Sequence, residues 1–166
     1  MVRPTRSHIC FICSSGGHLT QALTLLDELP QEQYEFTLVT YETEFTASLA
    51  ESREYNVVLF PQETSELASD PVALTTHLLR TSRATVSLLR EHSFDAIVST
   101  GAEIAIPTLL LAPLLGSEFI YIESLSRIDD LSWTGQVSRF FADEQLGQWE
   151  ELADRYDRVA FEGRIV

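Results

Sequence analysis

The sequence predicts an α/β fold, a Rossmann-like parallel sheet with helices on both faces. Short apolar strands alternate with helical patterns along most of the chain, as expected when each strand connects to the next through a helix. The first strand runs directly into a glycine turn and then into a helix. Polar side chains also follow the first, fourth and fifth strands, and the carboxyl ends of parallel strands meet at one edge of a sheet.

The first half of the chain supplies three strands and two helices. Residues 9–13 form an apolar run, and a buried strand is predicted over residues 7–13. Residues 19–29 place apolar side chains at helical spacing until Pro30 ends the helix. The remaining predictions are a strand at 34–40, a helix at 42–51, a strand at 56–60 and a polar loop at 61–70.

The second half begins with the longest helical pattern, residues 71–91, whose arginines lie off the apolar stripe. A helix at 104–115 is apolar nearly all round and interrupted by prolines, so it is either core or a surface for lipid or a partner chain. The other elements are strands at 94–99, 118–122 and 159–161, an irregular loop at 123–135, and helices at 136–141 and 149–155. Residues 1–166 are expected to form a single domain.

The charge of the chain is strongly acidic. Twenty-five carboxylates face 11 basic side chains, giving a net charge of -14, and every basic side chain is an arginine. Such a surface argues against nucleic acid as a partner and against simple electrostatic docking on an anionic membrane. Excess carboxylate without lysine resembles the composition of proteins from extreme halophiles, in which concentrated salt screens the repulsion.

Several other kinds of site are not expected. Cys10 and Cys13 have C-x-x-C spacing, but they lie inside an apolar strand and are predicted to be small core residues rather than a redox pair. The chain has no D-x-D sequence and no cluster of histidine and cysteine, so no metal site is predicted. Residues 1–7 are too polar for a signal peptide, and the apolar stretch at 104–115 is too short to span a bilayer.

The most distinctive loop comprises residues 14–18, Ser14-Ser15-Gly16-Gly17-His18. Glycine lets a backbone come close to a ligand, and the free N–H groups of a helix start favour phosphate. His18 adds a group that donates, accepts or carries a proton near neutral pH. The loop has neither G-x-G-x-x-G nor the lysine of a P-loop. A plain turn whose histidine caps the helix is therefore the alternative.

Five spaced motifs resemble a known family. They are Ser-Ser-Gly-Gly-His-Leu at 14–19, Ser-Thr-Gly-Ala-Glu at 99–103, Ile-Glu-Ser-Leu-Ser-Arg at 122–127, Leu-Ser-Trp-Thr-Gly at 131–135 and Gln-Trp at 148–149. Together they resemble the family of asparagine-linked glycosylation protein fourteen and its bacterial relative PssD, from the first strand nearly to Val166. Residues 143–147 are more polar than the family pattern.

The resemblance implies the amino-terminal half of a GT-B glycosyltransferase, similar to the corresponding domain of MurG. The other half would be a separate chain, similar to asparagine-linked glycosylation protein thirteen or PssE, and only the pair would be an enzyme. That partner would hold most of the UDP-sugar donor, and no cofactor is implied. This chain would bind a lipid-linked phosphate or diphosphate acceptor and attach the complex peripherally to the cytoplasmic face of a membrane.

The resemblance also suggests roles for particular residues. His18 and Glu103 are the catalytic candidates, and we expect them to lie together with Gly17 at the carboxyl edge of the sheet. Glu103 is either a general base for the acceptor hydroxyl or only a favourable charge at a helix start. The candidates for binding the acceptor and its phosphates are Ser14, Ser15, Gly16, Gly17, Thr100, Gly101, Glu123, Ser124 and Arg127.

The loop at 123–135 leaves two interpretations open. Arg127 neutralises a phosphate through its bidentate guanidinium, or it forms an ion pair with Glu123 that shapes the loop. The length of the loop suggests that it orders on ligand binding. Trp133 and Trp149 are expected to be packing or partner-contact residues.

Three functions remain possible at this point. The first is the glycosyltransferase half, and the second is a non-catalytic subunit that recruits its partner to a membrane. The third is an unrelated Rossmann-type nucleotide-binding domain, which is disfavoured because Thr40 and Tyr41, not an acidic residue, end the second strand.

Overall fold

A parallel sheet of seven strands forms the centre of the described part of the chain. The computed structural model describes residues 6–61 and 71–165, leaving aside the side chains of residues 71–74 and 78. The strands are β1 Ser7–Cys13, β2 Tyr34–Tyr41, β3 Asn56–Phe60, β4 Ala96–Gly101, β5 Glu118–Ile122, β6 Glu144–Gly147 and β7 Ala160–Phe161. Their spatial order is β3-β2-β1-β4-β5-β6-β7. The predicted Rossmann-like fold is confirmed.

Helices cover both faces of the sheet. Within the described ranges they are α1 Gly17–Glu28, α2 Glu44–Ser52, α3 Pro71–Glu91, α4 Ala105–Leu111, α5 Trp133–Phe141 and α6 Glu150–Arg155, with a 3-10 turn at Ala112–Leu115 after α4. Successive side chains of a strand point to opposite faces. Phe11 and Cys13 therefore pack with Leu26 of α1, whereas Cys10 and Ile12 belong to the core that includes α4. The two cysteines are buried free thiols, as predicted.

The strand order places a switch point between β1 and β4. Ile9 of β1 lies opposite Phe36 of β2 on one side and opposite Ala96 of β4 on the other, and both pairings are parallel. The chain thus leaves β1 in one direction along the sheet and later returns to its other side. Ligands of such folds bind beyond the carboxyl ends of the strands at this point.

Two elements differ from the sequence prediction. Helix α5 begins at Trp133 rather than at residue 136, because the Ser132 hydroxyl accepts a hydrogen bond from the Gly135 amide at 3.0 Å and caps the helix. The polar residues 144–147 form strand β6, since the buried Gln145 donates from Nε2 to the Gly135 carbonyl at 3.1 Å. Of the polar loop predicted at 61–70, residues 62–70 lie outside the described residues.

Candidate functional site

The loop at 14–18 connects β1 to α1 at the switch point. Gly16 has φ +81°, a conformation that side chains rarely adopt, and it precedes α1 without any side-chain cap. The first intrahelical bond runs from the Thr20 amide to the Gly16 carbonyl at 3.0 Å. The preceding helix amides have no acceptor within the helix. This helix start can therefore bind an anion, and the idea that His18 caps it is wrong.

His18 is joined to β4 by two hydrogen bonds. Its Nδ1 lies 2.6 Å from the Thr100 carbonyl oxygen, and the Thr100 hydroxyl donates to the His18 carbonyl at 2.7 Å. A carbonyl oxygen only accepts, so Nδ1 carries the proton and donates. Among the described residues nothing hydrogen-bonds to Nε2. That atom can accept a proton when the ring is neutral, or donate to an anion when the ring is charged.

Gly101 leaves the space that the imidazole of His18 occupies. A Cβ at this position would lie 2.7 Å from Cε1 and 2.8 Å from Nδ1 of His18, and the glycine has φ +120°. The next residue, Ala102, also has a positive φ of 77°. Both the space and the backbone conformation therefore require glycine at position 101. Thr100 and Gly101 thus fix the position of the histidine.

Glu103 lies just beyond this turn and reaches toward β2. Tyr41, the last residue of β2, donates from its hydroxyl to Oε1 of Glu103 at 3.0 Å and lies 2.9 Å from Nε2 of His77. Because the hydroxyl proton goes to the carboxylate, Nε2 of His77 is the donor in the second bond. Tyr41 and His77 are buried, while the Glu103 side chain is 44% exposed.

The sequence interpretation missed Tyr41 and His77. Tyr41 stands at the carboxyl end of the strand beside β1, which is a position that could have identified it. His77 lies within the long helix α3 and carries no comparable signal. The expectation that residues 14–18 and Glu103 share the carboxyl edge agrees with the pairing of β1 and β4.

Glu123 is fully buried and holds both ends of the loop that follows β5. Its Oε1 accepts from the Ser124 amide at 2.8 Å, and its Oε2 accepts from the Ser132 amide at 2.9 Å and the Ser132 hydroxyl at 3.0 Å. A Cβ at Gly135 would collide with this carboxylate. With its oxygens engaged and no exposed surface, Glu123 shapes the loop, and this structure offers it no direct contact with an acceptor.

Tyr121 completes the surroundings of this carboxylate. Its hydroxyl donates to Oε1 of Glu123 at 3.4 Å and lies 3.1 Å from the Ser132 hydroxyl. Burial, and then the neighbouring Glu123 carboxylate, raises the pKa of Tyr121 well above its usual range. The phenol therefore stays neutral and remains a donor beside a buried negative charge.

Ser124 and Arg127 form an exposed turn at the same edge. The Arg127 amide donates to the Ser124 carbonyl at 2.9 Å, and the hydroxyls of Ser124 and Ser126 lie 3.0 Å apart. Within the described ranges Arg127 makes no ion pair with Glu123, so the predicted bridge between them is wrong: backbone and hydroxyl donors satisfy Glu123 instead. The Arg127 side chain is left at the surface.

Comparison with known proteins identifies a family. Residues 9–165 match the model described as oligosaccharide biosynthesis protein Alg14 like. The UDP-N-acetylglucosamine transferase subunit ALG14 of Candida albicans is 26% identical over 176 residues, which cover 95% of this chain and 78% of that protein. The human subunit of the same name is 26% identical over 179 residues, covering 95% of this chain and 82% of the relative.

Solved structures support the fold. MurG of Acinetobacter baumannii has a TM-score of 0.66 at 15% identity, covering 95% of this chain. A UDP-N-acetylglucosamine 2-epimerase of Rickettsia bellii has a TM-score of 0.69 at 11% identity, covering 96%. The chain spans 45% of each of these two structures, so it corresponds to less than half of their length. At such identities the likeness concerns the fold alone.

The described residues contain neither a cluster suited to a metal ion nor a helix suited to span a membrane. In residues 6–61 and 71–165 no three histidine, cysteine or acidic side chains are grouped so as to hold a metal ion. Of the helices that the structure describes, none combines the length and the apolar character needed to cross a bilayer.

Proposed function

The chain belongs to the Alg14-like family of oligosaccharide biosynthesis proteins, and we propose that it is the acceptor-binding half of a two-chain glycosyltransferase. The reaction would move a sugar from a UDP-sugar to a lipid-linked phosphate or diphosphate acceptor. The relatives carry the name UDP-N-acetylglucosamine transferase subunit, which makes UDP-N-acetylglucosamine the first donor to test.

The observation that carries this proposal is the fixed imidazole of His18 beside an uncapped helix start. The helix amides and the positive end of the helix dipole favour a phosphate group there. Nδ1 of His18 is engaged by Thr100, which leaves Nε2 available for a ligand. The Arg127 guanidinium at the same edge suits a second phosphate.

Glu103 supplies a base at the same edge of the sheet. In an inverting transfer the acceptor oxygen attacks the anomeric carbon while the bond from that carbon to the UDP oxygen breaks. UDP leaves with the electron pair, and a base removes the acceptor proton. The Tyr41 hydroxyl occupies Oε1 of Glu103, which leaves Oε2 for this proton. His18 and the helix amides would hold the acceptor phosphates meanwhile.

A second chain would bring the donor. The relatives are named as subunits, which supports a partner similar to asparagine-linked glycosylation protein thirteen. Trp133 is 66% exposed at the start of α5, on the edge that carries the candidate site. Large exposed aromatic side chains are typical contacts of protein interfaces. We place the partner over this edge, with the sugar donor between the two chains.

A membrane surface would bring the acceptor. Two adjoining surface grooves share Val86 and Arg90; they are lined by Leu79 and Arg83 on one side and by Leu114 and Leu115 on the other. Leu110 is exposed on α4, which leads into the turn that carries Leu114 and Leu115. We call these four leucines and two arginines the leucine–arginine patch. The leucines would enter the boundary between headgroups and acyl chains, and the arginines would contact the headgroups. This arrangement allows peripheral attachment at the cytoplasmic face of a membrane, although the whole chain is acidic.

Reconstitution tests the proposed function. This chain is combined with its candidate partner, UDP-N-acetylglucosamine and a polyprenyl-diphosphate-linked sugar that supplies the acceptor hydroxyl, and sugar transfer is measured. Transfer should require both chains, and His18→Ala should slow it at least tenfold while the complex still assembles. Full transfer by the assembled His18→Ala complex would remove His18 from the reaction. Full transfer by the Glu103→Gln complex as well would contradict a catalytic part for this chain and favour a role only in recruiting the partner to the membrane.

A further inference from the structure

The side chain of Gln148 connects three separate segments at the carboxyl edge. It follows β6 and is 1% exposed. Its Nε2 donates to the Gln21 side-chain oxygen and, at 2.9 Å, to the Glu123 carbonyl, while its Oε1 accepts from the Ile165 amide at 3.1 Å. Both ends of this amide are therefore used inside the protein.

Gln21 links Gln148 to the first turn of α1, which follows the 14–18 loop. This residue of α1 is buried, and its Nε2 donates to the Gly17 carbonyl at 3.2 Å. Its Oε1 accepts from the Leu125 amide at 3.4 Å as well as from Gln148. Gly17 begins α1 and precedes His18. One buried side chain thus separates Gln148 from the first turn of the helix.

Trp149 reinforces the same arrangement from the neighbouring position. Its Nε1 donates to the Leu125 carbonyl at 2.7 Å, and the Arg164 guanidinium lies 3.8 Å from the centre of its ring. Nε of Arg164 also donates to the Gln148 carbonyl at 3.2 Å. The Gln-Trp motif therefore fastens the turn after β5 and the segment around Arg164 together.

We propose that Gln148 is a positioning residue, which fixes the 14–18 loop for acceptor binding by tying α1 to the turn after β5. Glutamine suits this place because its NH₂ group faces two oxygens and its oxygen faces an N–H. A carboxylate cannot donate to those oxygens, and methionine of similar size offers neither group. The effect on sugar transfer rests on the proposed function, whereas the effect on the loop does not.

The test compares substitutions at two buried glutamines, Gln148 and Gln145, which lie three residues apart. Gln148→Met removes the connection to α1, while Gln145→Met removes a buried amide that bonds to the Gly135 carbonyl in α5. Hydrogen exchange of the Thr20 amide, which donates to the Gly16 carbonyl at 3.0 Å, is measured in the free chain, and transfer kinetics are measured in the complex with the partner. Gln148→Met should speed that exchange about tenfold and lower the acceptor kcat/KM about tenfold, equivalent to about 1.4 kcal/mol. The KM for the UDP-sugar should not change.

The control decides between positioning and general stability. Gln145→Met should lower thermal stability similarly but leave exchange of the Thr20 amide and acceptor kcat/KM unchanged. Equal effects of the two variants, or normal acceptor kcat/KM in Gln148→Met, would overturn the proposal.

Should Gln148→Met fail to fold, Gln21→Met is the second variant. It releases α1 and leaves the bonds from Gln148 to Glu123 and Ile165, and it should give the same changes. Faster exchange of the Thr20 amide with no transfer by the wild-type complex would support the positioning and reject the proposed function.

Discussion

His18 and Thr100 hold each other through reciprocal hydrogen bonds across the switch point. Nδ1 of the histidine donates to the threonine carbonyl at 2.6 Å, and the threonine hydroxyl donates to the histidine carbonyl at 2.7 Å. The two residues belong to different βα junctions, one after β1 and one in β4. The orientation of the imidazole is therefore a property of the assembled sheet and not of the 14–18 loop alone.

Gly101→Ala should reduce sugar transfer by displacing His18. The added Cβ would lie 2.7–2.8 Å from the imidazole, and the positive φ adds strain of about 1–3 kcal/mol. We expect at least a tenfold loss of kcat/KM together with a lower Tm. Gly116→Ala is the matched control, since that glycine has φ +79° and open space around its Cβ. It should lower only the Tm, and a similar loss of activity there would argue against specific support of His18.

Glu103→Gln should lower kcat about 100-fold and change the acceptor KM much less, because an amide cannot take the acceptor proton. Steady-state transfer kinetics of the assembled complex measure both constants. Glu44→Gln removes an exposed acid from the first turn of α2 and is the control for a simple charge effect at a helix start. Wild-type kcat in Glu103→Gln would remove Glu103 from the catalytic step.

Stability should fall in alkaline solution because of the two buried thiols. Burial raises the pKa of Cys13 from its ordinary value of 9.0 to about 12, and it raises the pKa of Cys10 further. Between pH 9 and 12 the unfolded chain loses thiol protons that the folded chain keeps, so the unfolded state is favoured as pH rises. Each thiol lowers the free energy of unfolding by up to about 1.4 kcal/mol per pH unit in this range.

Urea unfolding of the wild type and of Cys13→Ala checks this dependence. The variant should be less stable at pH 8 because it leaves a cavity, but its stability should fall less steeply between pH 9 and 11. Parallel pH profiles of the two proteins would contradict the contribution of Cys13.

Removing two leucines should weaken attachment to lipid. Leu114 and Leu115 of the leucine–arginine patch are 79% and 59% exposed. Burial of each in lipid is worth about 1.5–3 kcal/mol. Leu114→Ser combined with Leu115→Ser should therefore reduce binding to vesicles of neutral and anionic phospholipid at least tenfold, as measured by co-sedimentation in molar salt. Phe45→Ser alters an equally exposed side chain on the opposite helical layer and should leave binding unchanged; equal losses would count against the patch.

Salt should stabilise the folded chain. Twenty-five carboxylates and 11 arginines leave a net charge of -14, whose repulsion falls as salt screens it. Thermal unfolding should shift upward between dilute buffer and molar potassium chloride. A gain of about 2 kcal/mol corresponds to roughly 4–8 °C in Tm. Sucrose, which strengthens burial without screening charge, is the comparison solute, and an unchanged midpoint in salt would refute the halophile interpretation.

The sequence predicted the fold well because its strands are buried on both faces. Continuous apolar runs such as residues 9–13 leave few alternatives to a parallel sheet. Strand β6 lacked that signal, since Gln145 is buried through a bond to Gly135 that only the folded chain brings close. Helix α5 was predicted to begin too late for another reason, because the local cap of Ser132 on the Gly135 amide was not recognised.

The candidate site was predicted less completely than the fold. The glycine turn and the positions of Thr100 and Glu103 can be predicted from the sequence, because polar residues there follow apolar strands. His77 and Gln21 enter the site through contacts between distant segments, which no local pattern predicts. Tyr41, in contrast, could have been identified by its place at the carboxyl end of β2. Glu123 illustrates the reverse case: its place after a strand suggested ligand binding, but the surrounding amides bury it within the loop.

The direction of β1 determines where a label can be attached. Its seven residues span about 20 Å from the amino edge of the sheet to the site edge. A fluorophore joined ahead of Ser7 would thus stand well clear of the reacting groups. One joined after Ile165 would instead pull on the backbone amide that Gln148 holds. Energy-transfer measurements of partner docking should therefore carry the dye on the amino-terminal side, where it reports distance without disturbing the chemistry.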